Sequence, residues 1–139
     1  MTLEYTGLNW VAVIAGAVAI IVVGFIWYLP QVFGTRWAAL SGRPLPSLGE
    51  VSPMTYVGGI VVALITAYVL AVVMDGLGAA TLVDGATVGF LAWLGFVAAT
   101  TYAAVLFEGR STAHWAINAG NVLVGLVVAG AIMGYLRPA

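Results

Sequence analysis

Four long apolar stretches dominate the chain, and none of them contains an Asp, Glu, Lys or Arg residue. Each is roughly 20 residues long, which at about 1.5 Å per residue spans a hydrocarbon core about 30 Å thick. Because backbone polar groups in lipid must be paired within such a segment, each stretch predicts an α-helix. The sequence therefore predicts an all-α polytopic membrane protein, a single domain over residues 1–139 with four transmembrane helices in a bundle. The predicted helices cover about 9–29, 54–74, 86–107 and 115–136.

The scarcity of charge excludes several classes of protein. Hydrophobic residues make up 63% of the 139 residues and charged residues only 6%, with a net charge of −1, whereas soluble domains carry about 25% charged residues. A soluble enzyme, a disordered tail and a basic nucleic-acid-binding domain are therefore excluded. The lipid bilayer is an expected partner and nucleic acid is not. The absence of cysteine excludes a disulfide scaffold and thiol chemistry.

Polar residues before the later stretches predict where those helices begin. Ser52 followed by Pro53 is typical of an N-cap and a first helical residue. The candidate caps of the third and fourth helices are Asp84 and either Ser111 or Thr112. Asp75 and Asp84 bracket the loop between the second and third helices, and we interpret them as a helix terminator and a cap rather than as metal ligands.

The arginines are distributed unevenly between the two ends of the predicted helices. Arg36 and Arg43 follow the first helix and Arg110 follows the third, whereas Arg137 lies at the opposite end. Since Arg and Lys are more frequent in cytoplasmic loops, this distribution predicts that both termini lie outside the cytoplasm. The first segment lacks a basic region and its apolar run is too long, so a cleavable signal peptide is not predicted.

One face of the fourth predicted helix carries polar side chains. His114, Asn118 and Asn121 recur at i, i+4 and i+7, and Thr101 of the third helix lies at a similar depth. Because polar groups are costly to expose to lipid, we expect these side chains to face protein or a water-filled cavity. They form either a ligand pocket or polar path, or interhelical hydrogen bonds worth about 0.6–2 kcal/mol each.

Three further residues complete the predicted ligand or pathway site. Glu108 and Arg110 lie near His114, as a pocket entrance in which Glu108 and His114 titrate or as an interfacial ion pair. Trp93 lies well inside the third helix, either packed with one hydrogen bond or forming a wall for an apolar or aromatic ligand. The sequence contains no metal-binding motif, catalytic triad or phosphate-binding glycine loop. No catalytic residue or metal site is therefore predicted, and the sequence names no cofactor.

Glycines spaced four residues apart predict close contacts between helices. Gly85-x3-Gly89 opens the third predicted helix and Gly130-x3-Gly134 closes the fourth. Small residues at this spacing let membrane helices approach one another closely. The pattern predicts that helices touch, but it does not indicate which ones.

Short motifs near the helix ends carry a resemblance to a known family. They are Asn9-Trp10, Trp27-Tyr28-x-Pro30, Phe33-Gly34-x2-Trp37, Leu94-Gly95-Phe96, and Leu106-Phe107-Glu108-Gly109-Arg110 followed by Ile117-Asn118-Ala119-Gly120. Over nearly its whole length the chain resembles the bacterial family catalogued as domain of unknown function 1761, a set of small four-span membrane proteins. The resemblance implies this fold and a bacterial inner-membrane location, and it implies no activity, cofactor or catalytic residue. Asn121 departs from the family pattern, in which an aromatic residue is expected after Asn-Ala-Gly.

These features predict a membrane protein of unknown activity that is not an enzyme. Because four spans enclose only a small interior, we expect a homo-oligomer or a subunit of a larger membrane complex that acts through transmembrane helix packing. The alternative is a small transporter or channel with a polar path along helices 3 and 4. The absence of charge deep inside the spans favours the first interpretation, because a coupled pump usually needs such a charge.

Overall fold

The computed structural model describes residues 2–44 and 51–137, and every regular element in these ranges is helical. The α-helices are α1 (Trp10–Trp27), α2 (Thr35–Ser41), α3 (Pro53–Leu77), α4 (Leu82–Trp93), α5 (Ala99–Glu108) and α6 (Thr112–Leu136). π-Helical turns connect α1 to α2 over Pro30–Gly34 and α4 to α5 over Leu94–Ala98. Four helices are long and apolar enough to cross a membrane: α1, α3, the continuous third span Leu82–Glu108, and α6. The predicted all-α, four-span membrane fold is confirmed.

The four spans run alternately up and down, and α6 is the central one. It packs along both α4 and α1, whereas α3 packs mainly against α1. At one end of the bundle, which we call the His114 end, α1 and the third span finish and α3 and α6 begin. At the opposite end, which we call the Arg137 end, Arg137 follows α6. The side chains of α6 therefore determine most of what lies in the interior.

Side-chain caps mark the starts of the spans. The Ser52 and Ser111 hydroxyls each accept a backbone N–H from the first turn, at 3.2 Å, as predicted for α3 and α6. The predicted cap at Asp84 is wrong, because the Thr81 hydroxyl accepts the Asp84 N–H at 3.0 Å and α4 begins at Leu82. Asp84 lies instead within the first turn, where a carboxylate interacts favourably with the positive end of the helix dipole.

The end of α3 lies beyond the residue at which the sequence predicted it. Asp75 is not the terminator, because the helix continues to Leu77 and ends at Gly78 in the left-handed conformation with φ 71°. The Ala79 N–H then bonds back to the Met74 carbonyl at 2.9 Å, which is the usual way in which a glycine closes a helix. Asp75 therefore projects from the last turn of α3.

Glycines form the contact between α4 and α6. A Cβ atom placed on Gly85 or on Gly130 would collide with the carbonyl of the other residue, and one on Gly89 would collide with the Leu126 carbonyl. Gly134 meets the Thr81 carbonyl in the same way. The two glycine patterns therefore belong to one helix pair, and the absence of side chains lets its backbones touch.

Small residues and two methionines fill the interior. Ala67, Met74 and Ala129 are fully buried, and Met133 nearly so. In the part of the chain that the structure describes, no polar or charged residue is buried. Large apolar side chains such as Phe107, 87% exposed, point outwards instead. This inversion of the soluble pattern is expected where the surroundings are lipid tails.

Candidate functional site

His114 lies in the first turn of α6, and both of its ring nitrogens contact polar side chains. Its Nε2 atom lies 2.9 Å from the Ser41 hydroxyl at the end of α2, and its Nδ1 atom lies 3.4 Å from the Asn118 side-chain nitrogen. The Asn118 oxygen in turn accepts the hydroxyl of Tyr28, which follows α1, at 2.8 Å. These four side chains, which we call the polar chain, join the ends of three helices.

The donors and acceptors of the polar chain determine which histidine nitrogen carries the proton. Because the Asn118 oxygen accepts from Tyr28, its amide nitrogen faces Nδ1 of His114, and Nδ1 must accept. With the Asn118 amide in this orientation, a neutral ring that accepts at Nδ1 carries its proton on Nε2 and donates it to Ser41. All three hydrogen bonds run in one direction, from α1 through α6 to α2.

The contact between Ser41 and His114 has the distance of a nucleophile and its base, but not the donor order. A catalytic serine donates its hydroxyl hydrogen to an unprotonated ring nitrogen, and a carboxylate or amide oxygen holds the proton on the other nitrogen. Here the nitrogen that faces Ser41 carries the proton, and an amide N–H faces the other nitrogen. The arrangement connects α2 to α6, and in this tautomer it lacks the donor order of a serine nucleophile and its base.

Aromatic rings cover the polar chain because the chain turns back after α1. The Trp37 ring stacks on His114 with centroids 6.2 Å apart, and Tyr28 meets the Trp37 ring edge-on at 5.9 Å. The π-helical turn before α2 makes this possible, since a Cβ on Gly34 would collide with the Tyr28 carbonyl. Pro30 starts that turn. Sequence reasoning missed Ser41, Tyr28 and Trp37 as site residues, although the spacing of Pro30 and Gly34 indicates a local turn.

A cavity of about 320 Å³ lies between α5 and α6 at the His114 end, and we call it the α5–α6 cavity. Its polar lining consists of Thr101, Arg110, Ser111, His114, Trp115 and Asn118. Its apolar lining consists of Val97, Ala104, Val105, Ala119 and Val122. The Thr101 hydroxyl accepts the Trp115 indole N–H at 2.8 Å and donates to the Val97 carbonyl at 2.6 Å. The cavity therefore combines an apolar wall with polar groups.

The structure brings four of the seven predicted site residues together around this cavity. Thr101, Arg110, His114 and Asn118 line it, and Glu108 lies beside it without lining it. Glu108 and Arg110 are 3.4 Å apart, with side chains 59% and 67% exposed, as in the ion pair that the sequence allowed. The role of these residues in binding a ligand stays a prediction.

The other two predicted residues, Asn121 and Trp93, lie outside the cavity lining. Asn121 lies against Gly24 of α1, on a different side of α6. Trp93 donates its indole N–H to the Ala119 carbonyl at 2.7 Å, which is the single hydrogen bond that the packing interpretation requires. Neither residue extends the polar group around His114.

Between Asn121 and the Arg137 end, the buried side chains of α6 carry no polar group that could solvate an ion. The buried residues of α6 in this region are Gly125, Leu126, Ala129, Gly130, Met133 and Gly134, and Leu126, Ala129 and Met133 pack with Met74 of α3 and Ala12 of α1. Carrying a charge through such an environment is costly unless polar partners accompany it. The polar chain therefore stops near one end of the bundle.

Sequence reasoning missed the polar contact at the opposite end. The Arg137 guanidinium donates to the Met74 carbonyl at 2.9 Å, to the Ala79 carbonyl, and to the Asp75 carboxylate at 2.6 Å. The Met74 carbonyl already accepts the Ala79 N–H, so the guanidinium adds a second donor to it and connects the end of α3 to the end of α6. We call this arrangement the Arg137 contact. The sequence did hold a signal for this contact: an acid, Asp75, and a base, Arg137, lie at the same end of the second and fourth spans.

Asn9 and a second cavity complete the Arg137 end. The Asn9 oxygen accepts the Ala12 N–H at 3.2 Å, while its amide N–H donates to the Leu136 carbonyl at 3.1 Å. One side chain thus caps the start of α1 and the end of α6. A cavity of about 770 Å³ lies beside it and is also bordered by Asp75 and Arg137. The contacts that Arg137 makes beside this cavity cap the end of α3, and this capping explains why its side chain lies there.

Comparisons with known proteins identify the family to which the chain belongs. The family model described as "Protein of unknown function (DUF1761)" matches residues 11–134. No curated protein and no solved structure matches the chain. The matched range includes the polar chain and the whole lining of the α5–α6 cavity, while Arg137 lies just beyond it. Among residues 2–44 and 51–137, no three His, Asp or Glu side chains are grouped closely enough to hold a metal ion.

Proposed function

We propose that this chain, which belongs to the family described as protein of unknown function (DUF1761), is a non-enzymatic membrane subunit. It acts through packing of its transmembrane helices, as a homo-oligomer or within a larger membrane complex. The polar side chains around His114 and Arg137 bond mainly between helices of the same chain, which is the behaviour of a packing element. The four-span membrane fold is the premise of the proposal.

The observation that carries the proposal is a contrast among the helical glycines. Gly85 and Gly130 touch the backbone of a neighbouring helix, whereas Gly58 and Gly59 of α3 have no atom of the described residues within 4 Å of a Cβ placed on them. The surrounding segment, residues 53–62, is exposed throughout. Since small residues in membrane helices serve close approach, the free glycines of α3 support contact with a helix from another chain.

The test is to fill this surface with larger side chains. Gly58→Leu with Gly59→Leu fits the free space of a single chain, so the fold is expected to persist. Ala116→Leu adds similar bulk at an exposed position of α6 and serves as the control. In dilute bilayers, photobleaching of singly labelled chains should show more than one copy per particle for the wild type and Ala116→Leu, and one copy for the glycine variant. A wild-type chain that bleaches in single steps at every dilution would contradict the homo-oligomer.

The alternative, a small transporter or channel, has the α5–α6 cavity in its favour. The apolar interior beyond Asn121 disfavours it, because an ion would cross that region without polar partners. In liposomes that contain the reconstituted chain, we expect proton and potassium leakage equal to that of protein-free liposomes. Leakage that depends on pH and disappears in His114→Ala would instead establish the transporter.

A bacterial inner-membrane location with both termini outside the cytoplasm completes the proposal. Arg36, Arg43 and Arg110 at the His114 end support this orientation. The chain has no cysteine, so single cysteines are clean probes. An impermeant maleimide added to intact cells should label Thr2→Cys, and it should label Thr112→Cys only after the membrane is opened. The reverse pattern would invert the orientation.

A further inference from the structure

The α5–α6 cavity has more unused hydrogen-bond donors than its role in helix packing requires. In the described ranges, the Arg110 guanidinium bonds only to the Glu108 carboxylate, at 3.4 Å, so most of its N–H groups are free. The Ser111 hydroxyl accepts the His114 N–H and retains its own hydrogen, and Asn118 retains one amide hydrogen. A ligand for these groups must be rich in acceptors.

The charge at the cavity favours an anion. Arg110 lines the cavity and Glu108 does not, so the positive member of this ion pair is the one that borders the space. Both side chains are well exposed, and an exposed pair of this kind is weak and easily exchanged for another partner. Ser111, His114 and Trp115 belong to the start of the 25-residue helix α6, whose positive dipole end adds to the field.

From these features we infer that the α5–α6 cavity binds an anionic phosphate or carboxylate group. Arg110 holds the anion by charge-assisted hydrogen bonds, and the hydroxyl of Ser111 and the free amide hydrogen of Asn118 complete the set of donors. The anion comes either from the head group of a membrane lipid or from solution. This site is independent of the proposed oligomer, because its residues lie on α5, on α6 and in the connection between them, whereas the free glycines lie on α3.

The apolar lining bears on which source supplies the anion. Val97, Ala104 and Val122 face the same cavity as the donors. The volume of about 320 Å³ is near the lower end of small-molecule pockets, about 300–1,000 Å³. The third span finishes at Glu108, so the donors lie level with the end of the hydrocarbon core, where lipid head groups are found. A head group with part of its chain satisfies both kinds of lining, whereas a free anion satisfies only the donors.

Native mass spectrometry of the full chain in detergent tests this assignment. The probes are phosphatidylglycerol and phosphatidylcholine with identical acyl chains, each added at increasing concentration. We expect phosphatidylglycerol to bind about tenfold more tightly than phosphatidylcholine. The choline of phosphatidylcholine carries a positive charge that competes with Arg110 for the phosphate, and phosphatidylglycerol has no such charge. Arg110→Gln should remove this preference, and Arg36→Gln, an exposed arginine at the same end but outside the cavity, should retain it.

A second pair of variants locates the site within the molecule. Ala104→Leu fills the cavity, while Ala103→Leu makes the same change at a neighbour that does not line it. Loss of the preference in Ala104→Leu alone supports the cavity. Equal binding in both variants, each shown by circular dichroism to be folded, would overturn it, as would equal effects of Arg110→Gln and Arg36→Gln.

Inorganic phosphate distinguishes the two sources of the anion. If phosphate raises the thermal stability of the wild type but not of Arg110→Gln, and the two lipids bind equally, the anion comes from solution. If phosphatidylglycerol is preferred and phosphate has no effect, it is a lipid head group. Equal binding of the two lipids together with no response to phosphate would overturn the proposal.

Discussion

The two ends of the bundle each have an arginine beside a carboxylate, yet the two pairs differ in almost every other respect. Arg137 and Asp75 are 2.6 Å apart with side chains only 24% and 31% exposed, and Arg137 also donates to the Met74 carbonyl of α3 and to the Ala79 carbonyl just after it. The Arg110 and Glu108 side chains are 3.4 Å apart and mostly exposed, and the Arg110 guanidinium donates to no backbone carbonyl in the described ranges. One arginine is committed to the fold, and the other is available.

This difference shows how the same residue type serves structure or binding. A guanidinium has five N–H donors in a fixed plane. Where helix-end carbonyls and a carboxylate occupy those donors, as at Arg137, the side chain joins helices. Where they are free beside a cavity, as at Arg110, it can receive an outside anion. The loss in the free energy of unfolding should therefore differ clearly between substitutions of Arg137 and of Arg110, although the sequence shows an arginine near a carboxylate at both ends.

The largest expected effect follows from removing the Arg137 guanidinium. Arg137→Gln removes the partner of the Asp75 carboxylate and a donor to the Met74 and Ala79 carbonyls, and we expect a loss of about 2–3 kcal/mol in the free energy of unfolding. Unfolding in mixed micelles with increasing SDS measures this. Arg110→Gln is the control, with an expected loss of at most about 0.5 kcal/mol. Equal losses at the two positions would remove the distinction between the ends.

A smaller effect is expected in the polar chain at the His114 end. Tyr28→Phe and Asn118→Ala each break the hydrogen bond between these two side chains, at a cost of about 1 kcal/mol. Because they break the same bond, the double variant should cost less than the sum of the single ones. The same SDS titration provides this double-mutant cycle, and strictly additive losses would show that the bond contributes nothing.

A third prediction concerns the exposed pair at the His114 end. Glu108→Gln removes the carboxylate that competes for the Arg110 guanidinium, so the binding of an anion at Arg110 should become stronger by roughly 2- to 5-fold. Phosphatidylglycerol binding, measured as above, tests it. Asp84→Gln, an acid at the opposite end, should leave binding unchanged. Weaker binding in Glu108→Gln would show that the carboxylate helps to position the arginine.

The smallest effect is expected in the segment that precedes α1 at the Arg137 end. The N–H groups of Gly7 and then Thr6 bond to the Glu4 carboxylate and lower the pKa of Glu4 from its ordinary 4.5. This stabilisation is present above pH 4.5 and disappears as the pH falls through the lowered pKa. The midpoint of unfolding of the wild type should therefore approach that of Glu4→Gln in acid. A gap that widens in acid would contradict the assignment.

The sequence predicts the spans and the polar face of α6 because both depend on local periodicity. It does not predict how neighbouring helices divide that face. Asn118 and Asn121 differ by only about 60° around the helix axis, yet Asn118 reaches the cavity and Asn121 lies against Gly24 of α1. Which of these two residues faces the cavity depends on where α1 and α5 pack against α6. The sequence of α6 alone does not encode that packing.

The Arg137 contact could not be predicted for a related reason. Asp75 and Arg137 are separated by most of two spans along the chain, and their meeting requires α3 and α6 to end side by side. The glycine spacings correctly indicated close contact, but only the structure pairs Gly85 with Gly130. Ser41 was missed because the π-helical turn before α2 is a backbone feature without a hydrophobic period.

The other π-helical turn, Leu94–Ala98, gives the third span one more residue per turn than a regular helix. In geometric terms, such a turn holds one residue more than the α-helical turns on either side of it. Deleting Gly95, which has no close neighbour, should restore a regular helix and rotate everything after it by about 100°. Thr101 and Arg110 would then leave the cavity while α4 stayed paired with α6. One extra residue in the turn thus sets which side chains of α5 face α6, independently of how α4 packs.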